Sequence, residues 1–232
     1  MSAFSFRPRV VPTLAAAAVI AATLWLGRWQ ADRAEEKAGL QALYEARARE
    51  TPLQLGGSSP AHDLVFRRVV ASGRWIGERQ IFVDNRVHGG RAGFHVVTPL
   101  RLAGSDAAVL VDRGWIARTA AYPRAPEVAV PAGDVTVTGL VTTPPRRVLE
   151  LSADTVSGNV WQNLSIERVA RASGLKLLPV VVIDDHPPPG LEAVHERPDA
   201  GVERHREYAL TWFSLAALAA VLWVALNVKR QR

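Results

Sequence analysis

Residues 208–228 read YALTWFSLAALAAVLWVALNV. This is about 21 residues without a charge, the length of helix that crosses the hydrocarbon of a bilayer. His205 stands three positions ahead of the run, and Lys229, Arg230 and Arg232 follow it. Near the other end, residues 10–27, VVPTLAAAAVIAATLWLG, form a second uncharged run behind Arg7 and Arg9. At about 18 residues it is just long enough to span. It passes the small residues Ala21 and Ala22, where a cleaved signal sequence would end, and continues through Leu24, Trp25 and Leu26.

Both outer flanks are short and basic. The positive-inside rule therefore predicts cytoplasmic tails over 1–9 and 229–232, spans over 10–27 and 208–228, and an extracytoplasmic stretch over 28–207. Trp25 and Trp29 lie one helical turn apart, as do Tyr208 and Trp212. Both pairs fall at the ends of the spans that face this stretch, where interfacial aromatic belts belong.

The rest of the composition excludes more than it names. With no Cys and one Met, disulfides, thiol redox chemistry and thiolate metal sites are ruled out. The net charge is +6, and short pairs such as Arg67-Arg68 and Arg146-Arg147 are scattered. Basic residues beside lipid headgroups account for that balance, so the bilayer is the expected partner and nucleic acid is not. No G-x-S-x-G elbow and no P-loop occur, so no enzyme is expected.

Residues 30–50, rich in Ala, Glu, Gln and Arg, predict a helix that continues from the first span and stops at Thr51-Pro52. Strand-like runs follow over 65–72, 80–85, 94–100, 107–113, 135–141 and 179–183, bounded by Gly, Pro, Asp or Ser. Turns are expected at 85–90 and 103–106. Ser165 and Gly174 bracket one short helix as N-cap and C-terminal stop. Pro187-Pro188-Pro189 and the stretch to Glu203 read as a stiff linker. The expected fold is membrane α+β: two terminal transmembrane helices flanking a mainly antiparallel-β extracytoplasmic domain with one or two helices.

Three places can carry chemistry. Asp184-Asp185-His186 puts two carboxylates beside an imidazole, but a solvated loop ahead of a proline run is the commoner arrangement. In Val111-Asp112-Arg113-Gly114-Trp115-Ile116 a Gly follows a charged pair at a strand end. It either closes a strand with an ion pair or presents Arg113 and Trp115 on a surface, where they could bind a planar carboxylate. His205 shares a helical face with Tyr208, Ala209, Trp212 and Ala216. The positive end of a helix dipole disfavours imidazolium there and leaves a lone pair free for iron. Arg204 and Arg206 could meet the two carboxylates of a haem. From spacing alone, an interfacial His among anchoring aromatics is the commoner arrangement. His95 is the next candidate ligand.

Several ordered blocks carry a resemblance that runs nearly the whole length. They are Leu26-Gly27-Arg28-Trp29-Gln30 with Arg33 and Lys37; Gly93-Phe94-His95-Val96-Val97-Thr98-Pro99-Leu100; Val111 to Ile116; Asn159-Val160-Trp161; and His205 with Tyr208 to Phe213. Together they resemble the Surfeit locus protein 1 family of cytochrome c oxidase assembly factors. The chain departs from that pattern at Glu36 and at Glu203-Arg204. The resemblance implies a non-enzymatic factor that assists haem a delivery or insertion into oxidase subunit I. Its partners would be that subunit and haem a synthase, and it would sit in a bacterial inner membrane. It also implies His205 as the axial ligand of the haem iron; the helical face and the strand end add Tyr208, Trp212, Arg113 and Trp115 as candidate cofactor-binding residues. The alternative is a haem-independent scaffold for oxidase intermediates.

Overall fold

The structure, a computed structural model, describes residues 4–6, 8–144, 156–194 and 201–230. Strand β1 (Phe4–Phe6) and helix α1 (Val10–Ala48) come first. There follow β2 (Leu53–Gln54), α2 (Ala61–Leu64), β3 (Arg68–Trp75), β4 (Ile81–His88), β5 (Arg91–Leu102), β6 (Ala107–Ala117) and β7 (Asp134–Thr142). Then come β8 (Val156–Ser157), β9 (Val160–Trp161), α3 (Ile166–Ser173), β10 (Lys176–Asp184), α4 (Val202–Asn227) and β11 (Val228–Arg230). The chain divides into two compact units, residues 1–43 with 197–232, and residues 44–196.

In the first unit α1 is one uninterrupted helix, as the sequence predicts. Pro12 is tolerated because it falls in the first turn, whose N–H groups have no helical acceptor. Beyond Gly27 good helix formers take over, with ion pairs Arg28–Asp32 at 2.9 Å and Arg33–Glu36 at 2.5 Å along the exposed side. Both α1 and α4 are long and apolar enough to cross a membrane, and little of either apolar stretch is buried.

The two helices pair antiparallel along a seam spaced by three or four residues. On α1 it runs Thr13, Ala16, Ile20, Thr23, Gly27, Gln30, Ala34 and Lys37, all buried or half-buried. On α4 it runs Val202, His205, Ala209, Trp212, Ala216, Ala220, Trp223 and Asn227. This is coiled-coil spacing. Small residues on it let two helices approach where no hydrophobic effect drives them together. Gly27 is needed there, because a Cβ would lie 2.7 Å from the Phe213 ring. At the far end Trp223 Nε1 donates to Thr13 Oγ1 at 3.1 Å and packs edge-on against Phe6. Strands β1 and β11 pair antiparallel from Phe4↔Arg230 to Phe6↔Val228, so both chain ends lie at one end of the pair.

The second unit is built around a closed ring of strands in the order β3-β7-β10-β6-β5, with β5 returning to β3. The closing pairs are Gly73↔Leu102, Arg74↔Arg101 and Trp75↔Leu100. Gly73 permits that closure, since a Cβ there would collide with the Arg101 carbonyl oxygen. Val69 and Ala71 of β3, Leu100 of β5, Val109 and Val111 of β6, Val141 of β7, and Val180 and Val182 of β10 fill the interior. Each fully buried Val or Leu contributes about 1.5–3 kcal/mol. Long β5 also carries β4 on its outer stretch, and β4 carries β9 and β8.

The sheet is mainly antiparallel, as expected, but it is mixed and not purely so. β6 and β10 run parallel, as do β2 with β3 and β4 with β9. The β6–β10 connection is long and contains α3, which is what a parallel pair requires. Helix α3 has the predicted ends: Ser165 Oγ accepts the Arg168 N–H at 3.3 Å, and Gly174 adopts φ 71° while its N–H bonds Ala170 O. Its Ile166 and Val169 pack on Val83, Val97, Leu110 and Val181.

The expected linker from Pro187 is also different. Glu192 exchanges two backbone hydrogen bonds of 2.8 Å with Trp115, which ties this segment to β6. Glu203 already belongs to α4. Arg146, Arg147 and His195 lie outside the described residues.

Candidate functional site

In the helical unit the α4 face is close to the expected one. His205, Ala209, Trp212 and Ala216 lie along the seam, while Tyr208 flanks it, 50% exposed. His205 is the fourth residue of α4, and its backbone N–H still bonds Gly201 O at 3.2 Å. It therefore sits in the first turn, ahead of the uncharged span.

Its ring is held from α1. His205 Nδ1 lies 2.6 Å from Gln30 Oε1. An amide oxygen only accepts, so Nδ1 carries the proton and Nε2 keeps its lone pair. Desolvation on the seam lowers the His205 pKa, and the charges of Lys37, Arg33 and Arg204 lower it further. The neutral, ligating form is thus favoured. Histidines that bind metals are commonly held in the same way, by an acceptor on the other ring nitrogen. Gln30 lies in the Leu26–Gln30 block, but its partnership with a residue near the other end of the chain left no local signal.

The donor types suit a haem: a lone pair on Nε2, two aromatic side chains one turn apart, Tyr208 and Trp212, and the exposed Arg204. Arg206 is engaged by Glu203 at 2.8 Å.

Arg113 and Trp115 are elsewhere, in the β unit, and the expected surface placement does not hold. Arg113 is 2% exposed and Trp115 is fully buried. Arg113 Nη1 donates to Gln80 Oε1 at 2.9 Å, Nη2 donates to Ala129 O at 3.0 Å, and the guanidinium lies 5.3 Å from the Trp75 ring centroid. Burial lowers its pKa, and the negative charge of Asp184 partly offsets this. Trp115 Nε1 donates to Arg86 O at 2.9 Å, and its ring fills the space that Gly93 leaves open. Gly114, between Arg113 and Trp115, adopts φ 126°, and a Cβ there would crowd Glu192 O at 2.9 Å and Leu191 and Pro187 at 3.1 Å. Asp112 pairs with His95, not with Arg113: His95 Nδ1 is 2.5 Å from Asp112 Oδ2.

The Asp184-Asp185-His186 stretch behaves as a strand end. Asp184 Oδ1 accepts the His186 N–H at 2.9 Å, and Asp185 pairs with Arg68 at 2.9 Å. Among the described residues no cluster of three or more His, Cys, Asp or Glu could hold a metal ion.

Two apolar helices paired through a histidine–glutamine contact, carrying a closed mixed-β domain, define a membrane-anchored protein with its barrel between two terminal helices. The SURF1 family model matches residues 17–217, and the chain belongs to the SURF1 family. Among its relatives is a "SURF1-like protein" of Monosiga brevicollis, 27% identical over 89% of this chain and 84% of the relative. Surfeit locus protein 1 of Mus musculus is 24% identical over 88% of this chain and 72% of its own length. The cytochrome oxidase assembly protein SHY1 of Saccharomyces cerevisiae is 27% identical over 71% of this chain and 45% of its own.

Proposed function

We propose that this protein is an assembly factor for cytochrome c oxidase, working in a bacterial inner membrane and handling haem a on its way to subunit I. The yeast relative, named as an oxidase assembly protein, supports the general role. The observation that carries the haem reading is the 2.6 Å contact between His205 and Gln30. Haem a brings an apolar disc, two carboxylates and an iron that takes an imidazole nitrogen. In this reading His205 offers Nε2, Gln30 holds the ring, Tyr208 and Trp212 cover the disc, and Arg204 pairs with a carboxylate. Subunit I and haem a synthase are the partners. The site is non-enzymatic: it holds its cargo and transforms nothing.

The test is to co-produce the protein with the haem a synthesis enzymes and record its spectrum. The parent acquires a Soret band; His205→Ala inserts and folds but loses it, while His62→Ala, an exposed control, keeps it. A parent that never takes up haem favours the haem-independent scaffold. An unchanged spectrum in His205→Ala moves the ligand elsewhere.

A further inference from the structure

We propose that a cavity on the barrel wall, bounded by Arg86, His95 and Asp112, is a binding site for a small apolar carboxylate. The cavity measures about 360 Å³, within the range of small-molecule sites. It lies in the β unit and does not depend on the haem reading.

Two breaks in strand register build its polar corner. Between Val83 and Arg86 the β4–β5 pairing slips, and Asn85 takes a left-handed φ of 58°. In regular alternation Arg86 would point to the face opposite Val83; the bulge brings both onto one wall of the cavity. A second slip between His95 and Val97 sets Val97 opposite Asp112, and all three line the same cavity. Bulges placed this way re-aim side chains next to binding sites.

The polar groups are not equally free. His95 and Asp112 are committed to each other at 2.5 Å, and Asp112 Oδ1 also accepts the Gly114 N–H at 3.1 Å. The aspartate charge is therefore already satisfied. That arrangement leaves His95 Nε2 as the remaining hydrogen-bonding atom of the pair. The half-buried Arg86 guanidinium has no acceptor among the described residues. One side of the wall is aliphatic, with Val83, Val97, Leu164 and Val181, while Thr142, Thr143 and Asn163 add neutral polar groups. A planar fork of donors beside aliphatic side chains matches a carboxylate on an apolar body.

The experiment uses the full chain in detergent, with 4-fluorobenzoate as probe and its uncharged isostere 4-fluorobenzamide as comparison, followed by ¹⁹F NMR. The carboxylate should bind saturably and at least tenfold more tightly than the amide. Arg86→Gln, with unfolding temperature checked, should weaken the carboxylate about tenfold and leave the amide unchanged. Arg101→Gln and His205→Ala should bind as the parent does. Equal binding of the two probes, no saturable binding, or full affinity in a folded Arg86→Gln protein would each overturn the assignment.

Discussion

Arg113 and Gln80 meet through a single oxygen: Gln80 Oε1 accepts from Arg113 Nη1 and from the Thr98 hydroxyl, each at 2.9 Å. The cation is thereby fixed inside the domain and not offered to a ligand. Arg113→Ala removes a charge-assisted donor from Gln80 and from Ala129 O, and should cost about 2–3 kcal/mol of domain stability. Arg113→Lys should recover only part, since one ammonium cannot reproduce the planar fork. Arg101→Ala, an exposed change on β5, should stay within about 0.5 kcal/mol. Thermal unfolding distinguishes them, and haem uptake per folded molecule should be the same in all three.

Asp184 gives the domain a pH signature. Burial raises its pKa, opposed by the His186 backbone N–H and the charges of His186 and Arg113. A carboxyl whose folded pKa exceeds its unfolded value of 3.8 binds more protons when folded. Its contribution is therefore most favourable below 3.8 and declines as pH rises through the folded value. Asp184→Asn keeps an acceptor for the His186 N–H and loses the titration. The stability of Asp184→Asn minus that of the parent should grow as pH rises through this window and then level off. A flat difference in urea titrations between pH 3 and pH 7 would refute it.

Gln30 is expected to act on haem only through His205. Gln30→Leu removes the acceptor for Nδ1–H and should weaken haem binding about 10–100-fold, the usual effect of losing an outer-sphere partner. Gln30→Glu keeps an acceptor and should retain binding with a shifted reduction potential. Spectroscopic titration with haem reads the first effect and redox titration the second.

For topology, alkaline phosphatase fused within residues 120–130 should be active and a fusion after Arg232 inactive. The pairing of β1 with β11 already requires the two chain ends to share one end of the helical pair.

The legible parts were those whose signal is local. The two spans, the continuation of the first into a long helix, the Ser165 cap and Gly174 stop, and the position of most strands follow from hydropathy, propensity and turn residues. Ring closure was not legible, because nothing near Gly73 announces that its partner is Leu102. The parallel β6–β10 pair leaves no local signal for the same reason. The burial of Arg113 is not legible, because its type suggests surface, while its acceptors, Gln80 and Ala129 O, come from distant segments. His205 was found from its own face; what holds it was not, because Gln30 belongs to the other helix.

That last pairing also sets a clock on synthesis. Gln30 and His205 are 175 residues apart, so at about 5–20 residues per second Gln30 waits roughly 9–35 s for its partner to be made. Over that interval the rest of the first helix and then the barrel strands are made, while Gln30 has no histidine to hold. A chain truncated before Val202 therefore lacks the Gln30–His205 contact, and possession of that contact certifies that a molecule has been translated into its second long helix.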